Sequence, residues 1–272
     1  WHYNVTARAI EEVYNKIRGP KTQLAAYVSA TGSAGTIGAG DYLRTIAPHL
    51  KVVASEALQC PTLLSNGFGG HRIEGIGDKH VPWVHNVKNT DVVTAIDDED
   101  CMRVMRLFNE KDGQEYLKKS GVPQETIDQL NLLGISGIGN MLSAIKTAKH
   151  FEMTSDDVIF SLATDSMEMY GSRLEEQTKA KGGYNRDQAI RDMEKCVIGQ
   201  GTDNMKDLTY NDQKAIHNLK YYTWVEQQAK DSSDLQQLWY DREIWNKLFH
   251  QAEKWDEMIK EFNEATGVLK SL

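Results

Sequence analysis

A cluster of small residues between residues 31 and 40 is the clearest candidate for chemistry in this sequence. The stretch "AAYVSATGSAGTIGAGDYL", residues 25–43, leads from an apolar segment through glycine, serine and threonine into a helical pattern. A strand that enters a helix in this way leaves several backbone N–H groups unpaired, and the helix dipole adds partial positive charge there. Small side chains allow a ligand to approach the backbone closely. The loop therefore predicts an anion site, most often one for phosphate.

Two common types of phosphate-binding loop have residue patterns that this stretch does not match. A Walker loop needs a lysine followed by serine or threonine after its glycines, and Thr36 and Ile37 stand there instead, which excludes it. A dinucleotide-binding loop needs the spacing GxGxxG, whereas the glycines here run GxxGxxGxG. Glu56, at the end of the next predicted strand, would be its ribose-binding acid. The dinucleotide site stays open as an alternative.

Composition and charge restrict the class of protein. The chain has 272 residues, of which 40% are hydrophobic and 26% charged, as in ordinary globular proteins. Its formal net charge of -8 argues against nucleic acid or an anionic membrane as the main partner. Cys60, Cys101 and Cys196 lie far apart, which favours a reducing cytoplasm over a disulfide framework or a zinc site.

Apolar patterning predicts an α/β fold. We expect strands at residues 24–30, 51–57 and 91–97 and another near residue 157, because each is a short apolar or β-branched run. Helical spacing separates these runs, and short connections between strand, helix and strand imply parallel pairing. We therefore predict a mostly parallel sheet with helices on both faces over residues 1–204.

The pattern changes after about residue 200. Charged and apolar residues there follow helical spacing, and the segment contains four of the six tryptophans. Aromatic residues at this spacing are typical of a core or an interface rather than of a ligand site. We predict a helical C-terminal extension over residues 205–272.

Five blocks in register resemble one enzyme family, the fold-type II pyridoxal-phosphate enzymes of the cysteine synthase and cystathionine β-synthase group. The blocks are "HYNVTARAIEEV" from residue 2, "GSAGT" from residue 32, "GGHRIEGIGDKHVPW" from residue 69, "GISGIGNMLSAIKTA" from residue 134 and "DDVIFSLATDSMEMYGSRL" from residue 156. Each block alone is weak evidence, but their order and spacing agree over residues 2 to about 175.

The resemblance implies roles for particular residues. Pyridoxal 5′-phosphate would be the cofactor, and its phosphate would be held by Gly32, Ser33, Ala34, Gly35 and Thr36. Ala34 departs from the glycine common in the family, and its methyl group narrows the allowed backbone conformations. Gly75 and Gly77 would bring main chain close to the cofactor edge, or would simply form a tight turn with positive φ. Ser166 would meet the pyridine nitrogen, or would only cap the following helix.

The same resemblance implies an activity, namely β-elimination or β-replacement on a serine- or cysteine-like amino acid. The alternatives are an amino-acid dehydratase or ammonia-lyase of the same fold type, and a non-catalytic binding or regulatory subunit. We expect a small amino-acid substrate, a homodimer, and neither nucleic acid nor a membrane as partner.

Four lysines and three histidines do not match the residue pattern of a Schiff-base site or of a metal site. Family members carry a Schiff-base lysine in an early S-x-K-x-R segment, whereas Lys16, Lys21, Lys79 and Lys88 lack this motif. The resemblance thus implies that the lysine and a small domain belong to a segment upstream of this chain. His71, His80 and His85 lie across turns without a matching set of ligands, so we expect no metal site. His80 and Trp83 are candidates for a substrate entrance.

Overall fold

A five-stranded sheet organises the computed structural model, which describes residues 1–270. The strands are β1 (Gln23–Ala30), β2 (Lys51–Ala57), β3 (Val92–Ile96), β4 (Asp157–Phe160) and β5 (Met205–Asp207), in the spatial order β4-β1-β2-β3-β5. All neighbouring pairs are parallel except β3 with β5, which is antiparallel. The mostly parallel α/β sheet predicted from the sequence is confirmed.

Twelve α-helices are found in residues 1–270. They are α1 (Thr6–Ile17), α2 (Ala39–Ile46), α3 (Thr62–Ser65), α4 (Asp98–Asn109), α5 (Lys111–Lys119), α6 (Gln124–Ile127), α7 (Ile135–His150), α8 (Gly171–Lys181), α9 (Arg186–Asp192), α10 (Tyr210–Lys220), α11 (Ser232–Tyr240) and α12 (Ile244–Thr266). Short π-helical segments, Met193–Ile198 and Tyr221–Gln227, continue α9 and α10.

Side chains along each strand alternate between the two faces of the sheet, and each face packs against an apolar core. Tyr27 faces a core shared with Ile10 of α1 and Leu43 of α2. Its neighbour Val28 faces the opposite core, which contains Val53 and is covered by Ala144 of α7. Successive strand side chains point to opposite faces, so one apolar run is buried on both sides.

Side-chain caps begin some of the helices, such as α4, and are absent from others, such as α1. Asp97 accepts a hydrogen bond from the Glu99 N–H at 2.9 Å and caps the start of α4. Thr6 is the first helical residue of α1, and Val5 precedes it without giving a side-chain cap. The Thr6 hydroxyl is instead 2.8 Å from the His2 ring.

The chain after residue 204 is more closely joined to the sheet than a purely helical extension would be. Met205–Asp207 is an edge strand, with Met205 paired to Thr94. Farther along, Ile216 of α10 is buried in the same core as Val81 and Val87. The strand escaped prediction because three residues carry no periodicity, and its pairing depends on β3.

Candidate active site

The small-residue loop lies at the carboxyl end of β1. Residues 32–35 form an irregular turn, Thr36–Gly38 form a 3₁₀ turn, and α2 begins at Ala39. Ala34 is buried and has a φ of 61°, in the left-handed region that L-residues other than asparagine and aspartate rarely adopt. Ala34 therefore occupies a position whose backbone conformation favours glycine.

Strand β1 holds this loop in place. The Tyr27 hydroxyl donates to the Thr36 carbonyl oxygen at 2.8 Å, and the Ser29 and Thr36 hydroxyls lie 2.7 Å apart. Burial raises the pKa of the Tyr27 phenol, so it remains a hydrogen-bond donor at all physiological pH values. The loop is thus fixed by side chains of the sheet beneath it.

The backbone of the loop offers free donors. Among the hydrogen bonds of residues 1–270, none has the N–H of Gly32, Ser33, Ala34 or Gly35 as its donor. Buried or half-buried backbone N–H groups are normally paired. Four successive unpaired donors at one turn fit an anionic ligand.

A cleft of about 110 Å³ brings this loop together with four other segments. The lining residues are His2, Ala30, Gly32, Ser33, Ala34, Gly35, Thr36, Gly75, Ile76, Ser136, Asn140, Leu162 and Thr164. The five loop residues singled out in the sequence thus meet Gly75 and the first turns of α7. Parallel α/β sheets bind ligands in such crevices outside the carboxyl ends of their strands.

Gly75 and Gly77 form the turn that faces the loop. Their φ angles are 80° and 82°, so the tight-turn alternative applies to both residues. The Gly77 N–H donates to the Thr31 carbonyl oxygen at 2.8 Å, which ties this turn to the end of β1. Gly75 lines the cleft, and a Cβ built on it meets no atom within 4 Å.

Ser166 lies near the cleft but is not among its lining residues. It is half-buried and precedes the 3₁₀ turn Met167–Met169, to which its side chain gives no capping hydrogen bond. Its neighbour Asp165 joins this segment to α7, since it accepts from the Ser136 hydroxyl at 3.2 Å and from the Tyr170 hydroxyl. The role of Ser166 stays a prediction.

Asn140 was missed in the sequence. Its amide nitrogen donates to the Leu162 carbonyl oxygen at 2.9 Å, which fixes the orientation of the amide. Its Oδ1 is buried and has no hydrogen-bond partner within residues 1–270. A buried acceptor without a partner beside a cleft is a place where a ligand donor fits. No pattern in one sequence distinguishes such an asparagine from others in a helix.

His2 was also missed, although it stands in one of the five blocks. The His2 ring lines the cleft, and its Cδ2 lies 3.2 Å from where a Cβ on Gly35 would be. Its Nδ1 lies 2.8 Å from the hydroxyl of Thr6, four residues later, and this helical spacing within "HYNVT" could have indicated the contact. Burial lowers the pKa of the His2 imidazole.

Glu56 does not suit the dinucleotide alternative. Its carboxylate accepts from the Leu63 N–H at 2.9 Å and the Leu64 N–H at 2.8 Å, at the start of α3. Burial raises the pKa of Glu56 to about 7. Its oxygens are therefore engaged inside the fold rather than offered to a ribose.

The helices after residue 209 make hydrogen bonds to residues 80–85, the segment that follows the glycine turn. The Lys220 ammonium donates to the carbonyl oxygens of Trp83 at 3.0 Å and His85 at 2.7 Å. The Thr223 hydroxyl lies 2.8 Å from the His80 ring. His80 and Trp83, the candidates for a substrate entrance, thus contact the C-terminal helices.

The histidines and lysines considered as candidates in the sequence do not line the cleft. His85 is buried with its Nε2 2.9 Å from the Thr90 hydroxyl, and burial lowers its pKa to about 3. No group of three or more histidine, cysteine or acidic side chains within residues 1–270 is arranged to hold a metal ion. None of the four lysines considered in the sequence lines the cleft in this part of the chain. Likewise, no helix there has the length and apolar character needed to cross a membrane.

Comparisons with known proteins bear on the resemblance. Cysteine synthase B of Campylobacter jejuni is 28% identical over 155 residues, 57% of this chain and 45% of the relative. A probable cysteine synthase of Bacillus subtilis is 27% identical over 170 residues, 62% of this chain and 48% of the relative. The resemblance to the cysteine synthase group is confirmed. The chain spans about half the length of these curated relatives, and no family model matches it.

A solved structure supports the fold. The structure of O-acetyl serine sulfhydrylase isoform 3 from Entamoeba histolytica aligns with a TM-score of 0.53 and 24% identity. The alignment covers 70% of this chain and 51% of that protein. The likeness places the sheet and its helices in the fold of the cysteine synthase relatives.

Proposed function

We propose that this chain forms the phosphate-binding part of a pyridoxal-phosphate enzyme that carries out β-elimination or β-replacement on a serine- or cysteine-like amino acid. The observation that carries the proposal is the cleft, where residues 32–35, with four unpaired backbone N–H groups, lie together with Gly75 and the start of α7. The similarity to cysteine synthases supports the choice of cofactor and reaction.

The cleft residues fit the phosphate group of this cofactor. The N–H groups of Gly32, Ser33, Ala34 and Gly35 would donate to phosphate oxygens, and Ser33 would add a hydroxyl. Because the loop is held by Tyr27 and Ser29, these donors are already fixed before ligand arrives. No side chain in the loop is large enough to occupy the space itself.

The far end of the cofactor would meet other residues of the cleft. Main chain at Gly75 would lie along its edge, and the free Oδ1 of Asn140 would accept a hydrogen bond from it. Ser166, by the resemblance, would meet the pyridine nitrogen. When bound, the cofactor supplies an electron sink that stabilises negative charge at Cα of an amino acid. The residues named here bind and orient it.

Binding of the cofactor is tested with the chain as it is. Pyridoxal 5′-phosphate and pyridoxal, which lacks the phosphate, are titrated while tryptophan fluorescence is measured. We expect the phosphate ester to bind at least about tenfold more tightly. Ser33→Glu, which places a carboxylate beside the phosphate, should weaken that binding by at least about tenfold.

Ser65→Glu is the matched control, because Ser65 is exposed on α3 and does not line the cleft. It should leave the affinity unchanged. Equal affinities for the two ligands, or an unaffected Ser33→Glu variant, would remove the basis of the proposal.

The reaction is tested separately from binding. Products are analysed after incubation with O-acetylserine plus sulfide, cysteine, serine or diamino acids. Replacement products support the proposed reaction, whereas oxo acid and ammonia without replacement indicate a dehydratase or ammonia-lyase. We expect this chain to bind the cofactor without turnover when it is tested alone, because Lys16, Lys21, Lys79 and Lys88 lack the Schiff-base motif. Turnover by this chain alone would contradict that expectation.

The proposal extends to location and assembly. All three cysteines are buried and free, which supports a reducing compartment, the cytoplasm. We also propose a homodimer. Large apolar side chains exposed on α12 support self-association.

A further inference from the structure

The end of α12 stands apart from the rest of the molecule. Its first turns are anchored, since the Phe249 ring stacks on Tyr3 at 4.3 Å and the Trp245 indole N–H donates to the Leu238 carbonyl oxygen. Residues 251–266 make no hydrogen bond, ion pair or ring contact to another element within the described part of the chain. At 1.5 Å per residue, this free portion of helix is about 24 Å long.

Large apolar side chains are exposed on this free portion. Trp255, Met258, Ile259 and Phe262 have 53%, 55%, 56% and 64% of their surfaces exposed. Four such side chains within eight residues form a contiguous patch on one helix face. Contiguous exposed apolar patches mark interaction sites in soluble proteins.

The spacing of the apolar residues indicates that the partner is another helix. Leu248, Ala252, Trp255, Ile259 and Phe262 follow one another at intervals of four, three, four and three residues. This alternation places them on one line along the helix, as in coiled coils and helix pairs. We call this line, together with the adjacent Met258, the α12 stripe.

The charges show which helix would fit. Between residues 253 and 264 the helix carries five carboxylates and two lysines, and they lie away from the α12 stripe, with Asp256 the nearest. The positions flanking the stripe are mostly uncharged, namely Gln251, Asn263 and Ala265. An identical helix therefore meets almost no like-charge repulsion across the stripe. The excess of carboxylates is the wrong sign for an anionic membrane surface.

We infer that the α12 stripe is the contact surface for a second copy of this chain, with the two α12 helices packed against each other about a two-fold axis. A two-fold contact uses the same patch on both copies, and a self-complementary apolar stripe meets that requirement. The inference is independent of the reaction proposed above, because α12 does not line the cleft.

Sedimentation equilibrium over a range of protein concentrations tests the inference. We expect the wild-type mass to rise from 30.7 kDa toward twice that value in the micromolar range. Ile259→Glu combined with Phe262→Glu should raise the dimer dissociation constant by more than about tenfold. Both side chains are exposed, so circular dichroism should show the fold intact.

Lys254→Glu is the matched control. It changes the net charge by the same two units but lies outside the α12 stripe, so it should dimerise like the wild type. A wild-type chain that stays monomeric up to about 100 μM would overturn the inference. So would a double variant that dimerises normally, a species larger than a dimer, or a monomer that instead sediments with phosphatidylserine vesicles.

Discussion

The cleft and the C-terminal helices use opposite kinds of residue. The cleft is lined by glycine, alanine, serine and threonine, and its main feature is unpaired backbone N–H groups. The C-terminal helices attach to residues 81–88 through large side chains, among them Trp224, Trp239 and the fully buried Lys220. Ligand binding should therefore depend on backbone conformation, and stability on side-chain packing.

The two regions are nevertheless connected. Lys220 and Thr223 hold residues 80–85, and that segment follows the glycine turn that faces the small-residue loop. A change in the helices can reach the cleft by moving this segment, or by moving Tyr3, which stacks on Phe249 and adjoins the cleft residue His2. The comparison therefore predicts that most substitutions alter either the free energy of unfolding or the affinity for ligand, but not both.

The largest expected effect is from Trp239→Ala. Trp239 is 2% exposed, and the ammonium groups of Lys88 and Lys214 lie over its ring at 5.4 and 4.6 Å. Removing a buried tryptophan leaves a cavity and should lower the free energy of unfolding by about 3–5 kcal/mol. Urea denaturation measures this loss.

Trp255→Ala is the control for this prediction. Its side chain is more than half exposed, so the loss in the monomer should stay within about 0.5 kcal/mol. Equal losses in the two variants would show that Trp239 does not anchor the extension. A large loss of cofactor affinity in Trp239→Ala would contradict the separation of the two regions.

Next in size is Gly77→Ala, compared with Gly75→Ala. Both residues have positive φ, which costs an alanine about 1–2 kcal/mol. A Cβ on Gly77 would also lie 2.4 Å from His71 Nε2, whereas a Cβ on Gly75 meets open space. Thermal unfolding should therefore show Gly77→Ala to be less stable than Gly75→Ala by about 1 kcal/mol.

Cofactor affinity should rank these two variants in the reverse order. The methyl group at residue 75 projects where ligand would lie, because Gly75 lines the cleft and Gly77 does not. If Gly75→Ala bound the cofactor as well as the wild type, the turn would have no part in the site.

A pH dependence tests the buried lysine. Burial lowers the pKa of Lys220 to about 7, from about 10.5 in the unfolded chain. Between these values the unfolded state binds more protons than the folded state, so the free energy of unfolding rises with pH. The slope from this group is at most about 1.4 kcal/mol per pH unit. It vanishes below about pH 7, where both states are protonated.

Lys220→Met should remove this slope, which is measured by urea denaturation between pH 7.5 and 9.5. Glu56 and Asp41, whose pKa values burial raises to about 7, act mainly below that window. Lys247→Met, an exposed lysine of α12, should keep the wild-type slope. An unchanged slope in Lys220→Met would mean that Lys220 is charged in the folded protein up to high pH.

Much of the sheet could be predicted because its strands are continuous apolar runs. The predicted strand at residues 51–57 matches β2, and that at residues 24–30 misses only the first residue of β1. Such runs are buried on both faces, so their local signal and their final environment agree. The irregular loop after β1 was also predictable, since its small residues interrupt the apolar pattern; its role in binding phosphate stays a prediction.

The remaining features depend on contacts between distant segments. Strand β5 exists because Met205 meets β3, and the acceptor of Asn140 is free because Leu162 takes its donor. The burial of Lys220 needs carbonyl groups more than 130 residues earlier in the chain. None of these partners can be assigned from spacing along the sequence.

The smallest expected effect concerns Ala34, where sequence and backbone disagree. Ala34→Gly removes a buried methyl group but also removes the cost of a left-handed alanine, which is about 1 kcal/mol. Ala189→Gly in α9 removes an equally buried methyl group and adds the cost of glycine in a helix, about 1 kcal/mol. Urea denaturation should therefore show Ala189→Gly to be clearly destabilised and Ala34→Gly to be nearly unchanged. Cofactor affinity of Ala34→Gly should equal that of the wild type or exceed it, because the N–H of residue 34 is retained. If Ala34→Gly were as unstable as Ala189→Gly, the loop in solution would not hold residue 34 in the left-handed conformation, and its four N–H groups would not face one ligand.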